Sequence, residues 1–354
     1  MKKKVYIRSS GIISPQATYG ENATLEIPRV HEGDRMHCIE PDYRNILDPK
    51  LIRRMSRIIR MGAAAALECM TKSGLKEPDA IITGTAYGCL EDTITFLNRM
   101  VENKEEMLTP TAFIQSTHNT VGSQIALLLK CHRYNNTFVH RGLSFEQAIQ
   151  DALLLLQEED TKNVLVGGID ELTDTSHAIL RRFGLYRRDA KNTDLIPNPG
   201  KGTMAGEGAG FFLLSAEKSP QDLASLDEIR MLFNADGESD VLGWIHSVLK
   251  EHRISLNDID LILLGKNGDE KNDRTYSALE SAIEGNTKTV YFKHLCGEFP
   301  TATAFGLWMA ASTISNSSIP FSGNKVFGMN SPEKVLVYNF GQNGHHSLML
   351  LSAC

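Results

Sequence analysis

The second half of the chain repeats the first, and this constrains the fold more than any other feature. Residues 79–84 (DAIITG) and 260–265 (DLILLG) share the form Asp, four mostly apolar residues, Gly, which describes a buried strand opening into a glycine turn. Upstream of each, over 51–75 and 241–252, apolar residues recur at helical spacing. The strand at 137–140 and the helical pattern at 145–156 are matched by 289–293 and 302–311, and the Val/Leu strand at 163–168 by 334–339. Three matches in the same order indicate an internal duplication. Near-continuous Val/Ile/Leu strands alternating with helices imply an α/β fold with mostly parallel sheets covered on both faces. The pattern breaks at 215–225, dividing the chain into halves 1–215 and 216–354, and the pocket is expected where equivalent loops of the two halves meet.

The 354 residues exceed the roughly 250–300 at which a single core stops growing, which suits two fused halves. With 37 Lys+Arg against 43 Asp+Glu, a net charge of -6 argues against nucleic acid as the main partner, since phosphate binding needs a basic surface. The opening lysines are followed by only three apolar residues before Arg8, so no signal peptide is expected. No stretch approaches the ~20 apolar residues of a membrane span; the expected location is the cytoplasm. Cysteines 38, 69, 89, 131, 296 and 354 include no Cys-x-x-Cys pair, which fits reduced thiols better than disulfides or zinc.

Five motifs in order extend the reading. They are VYIRSSGIISP at 5–15, STHNTVG at 116–122, MAGEGAG at 204–210, KHLCG at 293–297 and NFGQNG at 339–344. Together they resemble the β-ketoacyl synthases of the thiolase superfamily over almost the whole chain. The resemblance implies a thiolase-like fold, two duplicated halves in a five-layer αβαβα sandwich. It also implies a dimer whose first-half strands join across a two-fold axis, here through 135–140, and substrates carried on the phosphopantetheine of an acyl carrier protein, with no cofactor of the chain's own.

The family's catalytic residues are not matched. A working ketosynthase needs a cysteine nucleophile at a helix N-terminus and two histidines that stabilise developing negative charge. Counting along the chain places the nucleophile position at Gly142 or Leu143, the first histidine position at Gly265 and the second at Glu298; only the lysine, Lys293, is retained. Losing one preorganised donor costs about 2.7–4 kcal/mol, so losing two removes on the order of 5–8 kcal/mol of catalysis. The resemblance therefore implies a degenerate member of chain length factor type, a non-catalytic subunit that pairs with an active ketosynthase in fatty acid, polyketide or aryl polyene elongation.

Each remaining candidate has a plainer role beside the functional one. His140 is a replacement base or a hydrogen-bonded residue at a strand end. Ser144 is a substitute nucleophile or a helix N-cap. Cys296, close to His294, is a thiolate or an ordinary loop residue. Lys293 either organises an active site or pairs with Glu298. His345 and His346 are adjacent on a strand, so they face opposite ways and make a poor metal pair. Arg53, Arg54, Arg57 and Arg60 on the first helix, and Arg181, Arg182, Arg187 and Arg188 further on, are either solvated surface or a dock for an acidic carrier protein. The alternatives to the subunit are a divergent β-ketoacyl synthase or acyltransferase with a rebuilt site, and a homodimeric acyl-binding protein.

Overall fold

In the computed structural model, which describes residues 3–20, 25, 27–235, 237–316, 318–322, 325–328, 331–341 and 344–354, two five-stranded sheets have the same topology. The strands are β1 (Val5–Ile13), β2 (Ala80–Gly84), β3 (Tyr134–Phe138), β4 (Asn163–Asp170), β5 (Gly208–Ser215), β6 (Ala224–Phe233), β7 (Leu261–Leu264), β8 (Lys288–Tyr291), β9 (Lys334–Gly341) and β10 (His345–Ser352). The first sheet runs β3-β2-β4-β5-β1 and the second β8-β7-β9-β10-β6. In each, the first three strands are parallel and the last two pairings antiparallel. The sheets join edge to edge where Val5–Ile7 of β1 pairs antiparallel with Leu226–Ala224 of β6.

The main helices are α1 (Arg57–Ser73), α2 (Leu90–Glu102), α3 (Thr120–Leu129), α4 (Ser144–Leu155), α5 (Asp174–Arg182), α6 (Glu238–Glu251), α7 (Ser277–Ala282) and α8 (Thr303–Asn316). Successive strand residues alternate between two cores, as a pleated strand buried on both faces must. Ala80 and Ile82, Val164 and Val166, Leu261 and Leu263, and Val335 and Val337 face a central core with α4 and α8. Ile81 and Leu165 face α1 and α3, while Ile262, Leu264 and Leu336 face α6. The result is helix, sheet, helix, sheet, helix: the five-layer arrangement that the resemblance implies.

Two expectations change. The helical pattern at 51–75 breaks at Arg53–Ser56, and α1 begins only at Arg57, with Ser56 extended ahead of it; at its far end Gly74 takes the left-handed conformation, φ 72°, which terminates the helix. Consequently Arg53 and Arg54 lie in an exposed turn while Arg57 and Arg60 are half-buried, so the four arginines do not share one face. Of the C-terminal motif at 339–344, Gln342 and Asn343 lie outside the described residues.

Candidate functional site

The parallel strands of both sheets end at one small cavity between the halves. It is lined by Tyr87, Arg141, Gly142 and Tyr186 from the first half and by Lys293, Glu298 and Asn339 from the second. Its volume is about 40 Å³, room for about three water molecules.

The first-half wall is an elbow between β3 and α4. Arg141 has φ 46°, a left-handed conformation that non-glycine residues rarely adopt and that often marks a functional turn. The hydroxyl of Ser144 holds the elbow: it accepts from the His140 backbone N–H at 2.8 Å and donates to the Arg141 carbonyl at 2.9 Å. With its proton committed to a carbonyl and no side-chain base on its oxygen, Ser144 is a brace and not an activated nucleophile. The N-cap expected of it passes to Leu143, and Ser144 is the helix's first residue. The His140 ring lies outside the cavity lining, 5.4 Å from the ring of His345. Leu143 is buried.

The second-half wall is a closed polar network. The Lys293 ammonium donates to Glu298 Oε1 at 3.0 Å and to the Phe340 carbonyl at 3.2 Å, and lies 2.9 Å from Glu298 Oε2. That Oε2 also accepts from Asn267 Nδ2 at 2.6 Å. All three residues are buried. The ammonium charge is therefore neutralised by a buried carboxylate within hydrogen-bond distance, which weakens it as a stabiliser of a developing oxyanion. Gly265, counted as the first histidine position, does not line the cavity; the side chain that reaches the network from this strand end is Asn267, two residues later. The glycine has a packing role, because a Cβ there would collide with Asn339 Oδ1. Gly84, at the matching end of β2, similarly makes room for the Ser144 backbone.

Cys296 is fully buried, donates to the Gly297 carbonyl at 3.4 Å and lies outside the cavity lining; burial raises its pKa, so it is a thiol at neutral pH. Burial pushes His294 down to about 4, which leaves a neutral imidazole. His345 and His346 diverge. His346 lies 2.9 Å from the Tyr338 hydroxyl, while His345 packs between His140 and Phe233. No cluster of three metal-ligating side chains occurs among the described residues.

Sequence reasoning missed two buried carboxylates around this centre. Glu207 accepts both Arg57 guanidinium nitrogens, at 2.6 and 2.5 Å, and the backbone N–H groups of Cys38 and Leu172. Burial alone would raise its pKa, but His37 and Arg57 outweigh burial and hold it at about 2. Arg57 is thus an internal clamp, not part of a docking face. Asp170, at the end of β4, accepts from Thr85, Ala86 and Thr301, tying the halves together, and burial raises it to about 6. The second arginine group divides as well. Arg181 pairs with Asp34 while remaining exposed, and Arg187 is spent on the carbonyls of Gly202, Asn198 and Gly268, leaving the exposed Arg182 and Arg188 outside these contacts.

Residues 34–182 match the β-ketoacyl synthase N-terminal domain. The fold is that of the ketosynthases. The structure titled "The ishigamide ketosynthase/chain length factor" superposes with a TM-score of 0.82 at 16% identity, covering 100% of both chains. A ketosynthase in complex with its chain length factor from Xenorhabdus doucetiae gives 0.78 at 17%, covering 99% of this chain and 98% of that one. A type II polyketide synthase acyl-carrier protein in complex with its ketosynthase bound to the hexaketide gives 0.81 at 14%, again covering 100% of both. No curated protein matches in sequence. Among the described residues, no helix of this ketosynthase-like chain is long and apolar enough to cross a membrane.

Proposed function

We propose that the chain is a non-catalytic ketosynthase-like subunit of chain length factor type, which pairs with an active ketosynthase and supports elongation of a polyketide, aryl polyene or fatty acyl chain carried on phosphopantetheine. The observation that carries this reading is the Lys293–Glu298–Asn267 network. On this reading a buried ion pair stands where a ketosynthase would need a histidine, opposite an elbow that presents Arg141 and Gly142 in place of a thiol. This cavity, at about 40 Å³, is itself too small to hold an acyl chain.

The partner is supported by the edge of the first sheet. Strand β3 is an edge strand, and unpaired edges invite pairing with another chain. In the stretch 97–139, which includes β3, Leu97, Val101, Phe113, Ile114, Leu127 and Tyr134 are exposed. Such an apolar concentration marks an association surface. Carrier-protein docking is proposed for the exposed arginines, Arg53, Arg54, Arg182 and Arg188.

The test is to mix the chain with a ketosynthase that retains its cysteine and both histidines, and to measure mass by light scattering and product length by mass spectrometry. A one-to-one heterodimer with elongation only in the mixture supports the proposal. A homodimer that ignores the ketosynthase overturns it.

A further inference from the structure

We propose that the cavity is a binding site for a small, singly charged carboxylate anion of formate or acetate size, held by Arg141. The inference rests on the cavity and its charges, and it does not depend on the subunit reading above.

The charge balance comes first. Three ionised side chains line the space, Arg141, Lys293 and Glu298, and the last two neutralise each other at 2.9–3.0 Å. Arg141 is the surplus cation, with no carboxylate partner among the described residues. Its guanidinium presents a planar fork of donors that matches a carboxylate through two parallel hydrogen bonds. The strained backbone at Arg141, φ 46°, is held by the Ser144 brace, and strain of this kind persists where the surrounding structure fixes a side chain for use.

A second observation is independent of the first. Asn339 lines the same cavity, is only 3% exposed, and its side-chain Oδ1 has no hydrogen-bond partner. A buried amide with an unmet polar atom costs about 1–3 kcal/mol; the Oδ1 is turned to Gly265, outside the cavity lining, so the amide's opposite, Nδ2 side is the donor it can offer a guest. The twelve-residue helix α4 starts just behind the elbow, and its N-terminal field adds to the attraction for an anion.

Size and wall chemistry select the ligand. About 40 Å³ corresponds to about three water-sized units, which suits formate or acetate. Leu180, Phe299 and Pro300 give a methyl group an apolar wall. The Glu298 carboxylate at the cavity's edge opposes a doubly charged anion such as phosphate.

Isothermal titration calorimetry of the whole chain at neutral pH tests this, with sodium acetate as the probe and sodium chloride at matched ionic strength as the reference. The expected result is saturable acetate binding, weakened at least tenfold in Arg141→Gln, unchanged in Arg188→Gln, and tighter than binding of inorganic phosphate. Arg141 is exposed, so both variants should melt with the wild type. Absence of saturation beyond the chloride reference, or equal acetate binding by Arg141→Gln, would overturn the proposal.

Discussion

Two buried carboxylates, Glu207 in the first half and Glu298 in the second, are held by cations in different ways. Glu207 sits on Arg57, whose side chain is still 30% exposed, and the clamp pins the N-terminal segment to the sheet, away from the cavity. Glu298 sits on Lys293, which is 1% exposed, and its clamp forms part of the cavity wall. The same device is a fastening in one half and a cavity wall in the other. A duplicated fold can therefore keep its architecture while equivalent devices take different places in its two halves, because a closed ion pair satisfies groups that burial would otherwise leave unpaired.

The sharpest way to break this comparison is to remove one partner from each clamp. Glu298→Ala should cost about 3–5 kcal/mol in urea denaturation, since it strands a buried ammonium. Arg57→Ala should cost less, because the buried Glu207 it leaves keeps the backbone N–H donors of Cys38 and Leu172, whereas the Lys293 ammonium left by Glu298→Ala keeps the Phe340 carbonyl as its hydrogen-bond acceptor. Equal costs would mean that the backbone donors give Glu207 no relief and the distinction is false.

Acid next separates two buried carboxylates of the first half. Glu207 has its pKa depressed to about 2, so its contribution is present above the usual carboxylate value and is lost as pH falls through 2; over that window it amounts to on the order of 3 kcal/mol. Glu146, buried on α4 between the sheets, is raised to about 7, chiefly by burial. Its sign is opposite. Stability tied to its protonated form is complete below its unfolded value and declines as pH rises through about 7, by on the order of 2–3 kcal/mol. Thermal melts from pH 2 to 8 should show both limbs, with Glu207→Gln flattening the acid limb and Glu146→Gln the neutral one.

Smaller effects sharpen the picture at the strand ends. Gly265→Ala should cost about 1–3 kcal/mol through overpacking against Asn339, measured by thermal denaturation. At the first-half edge, Phe113→Asp should abolish association in sedimentation velocity while changing chain stability by no more than about 0.5 kcal/mol. Arg141→Gln, exposed at the elbow, should also stay within about 0.5 kcal/mol.

Much of this architecture was legible because it depends on local pattern. Near-continuous apolar strands such as 163–168 and the repeated Asp-to-Gly units reported the two sheets and their shared order. The pairing of Lys293 with Glu298 was legible too, since five residues across a turn bring the side chains together. Arg57 was not, because its partner Glu207 is 150 residues away and nothing in a helical arginine series distinguishes a buried member. Asn267 was missed through counting without gaps, which fixed the strand end but not the path of the turn after it. The left-handed backbone at Arg141 had no signal, since neither glycine nor asparagine marks the position. Asp170 ended a recognised strand, but only the second-half residue Thr301, 131 positions on, reveals its function as a tie.

The central claim is that this cavity forms no covalent link to an acyl group. Intact-protein mass spectrometry after incubation with malonyl and long-chain acyl thioesters of a carrier protein tests it directly. The account predicts an unchanged mass; an added acyl group that maps to Ser144, His140 or Cys296 and disappears on substitution of that residue would contradict it.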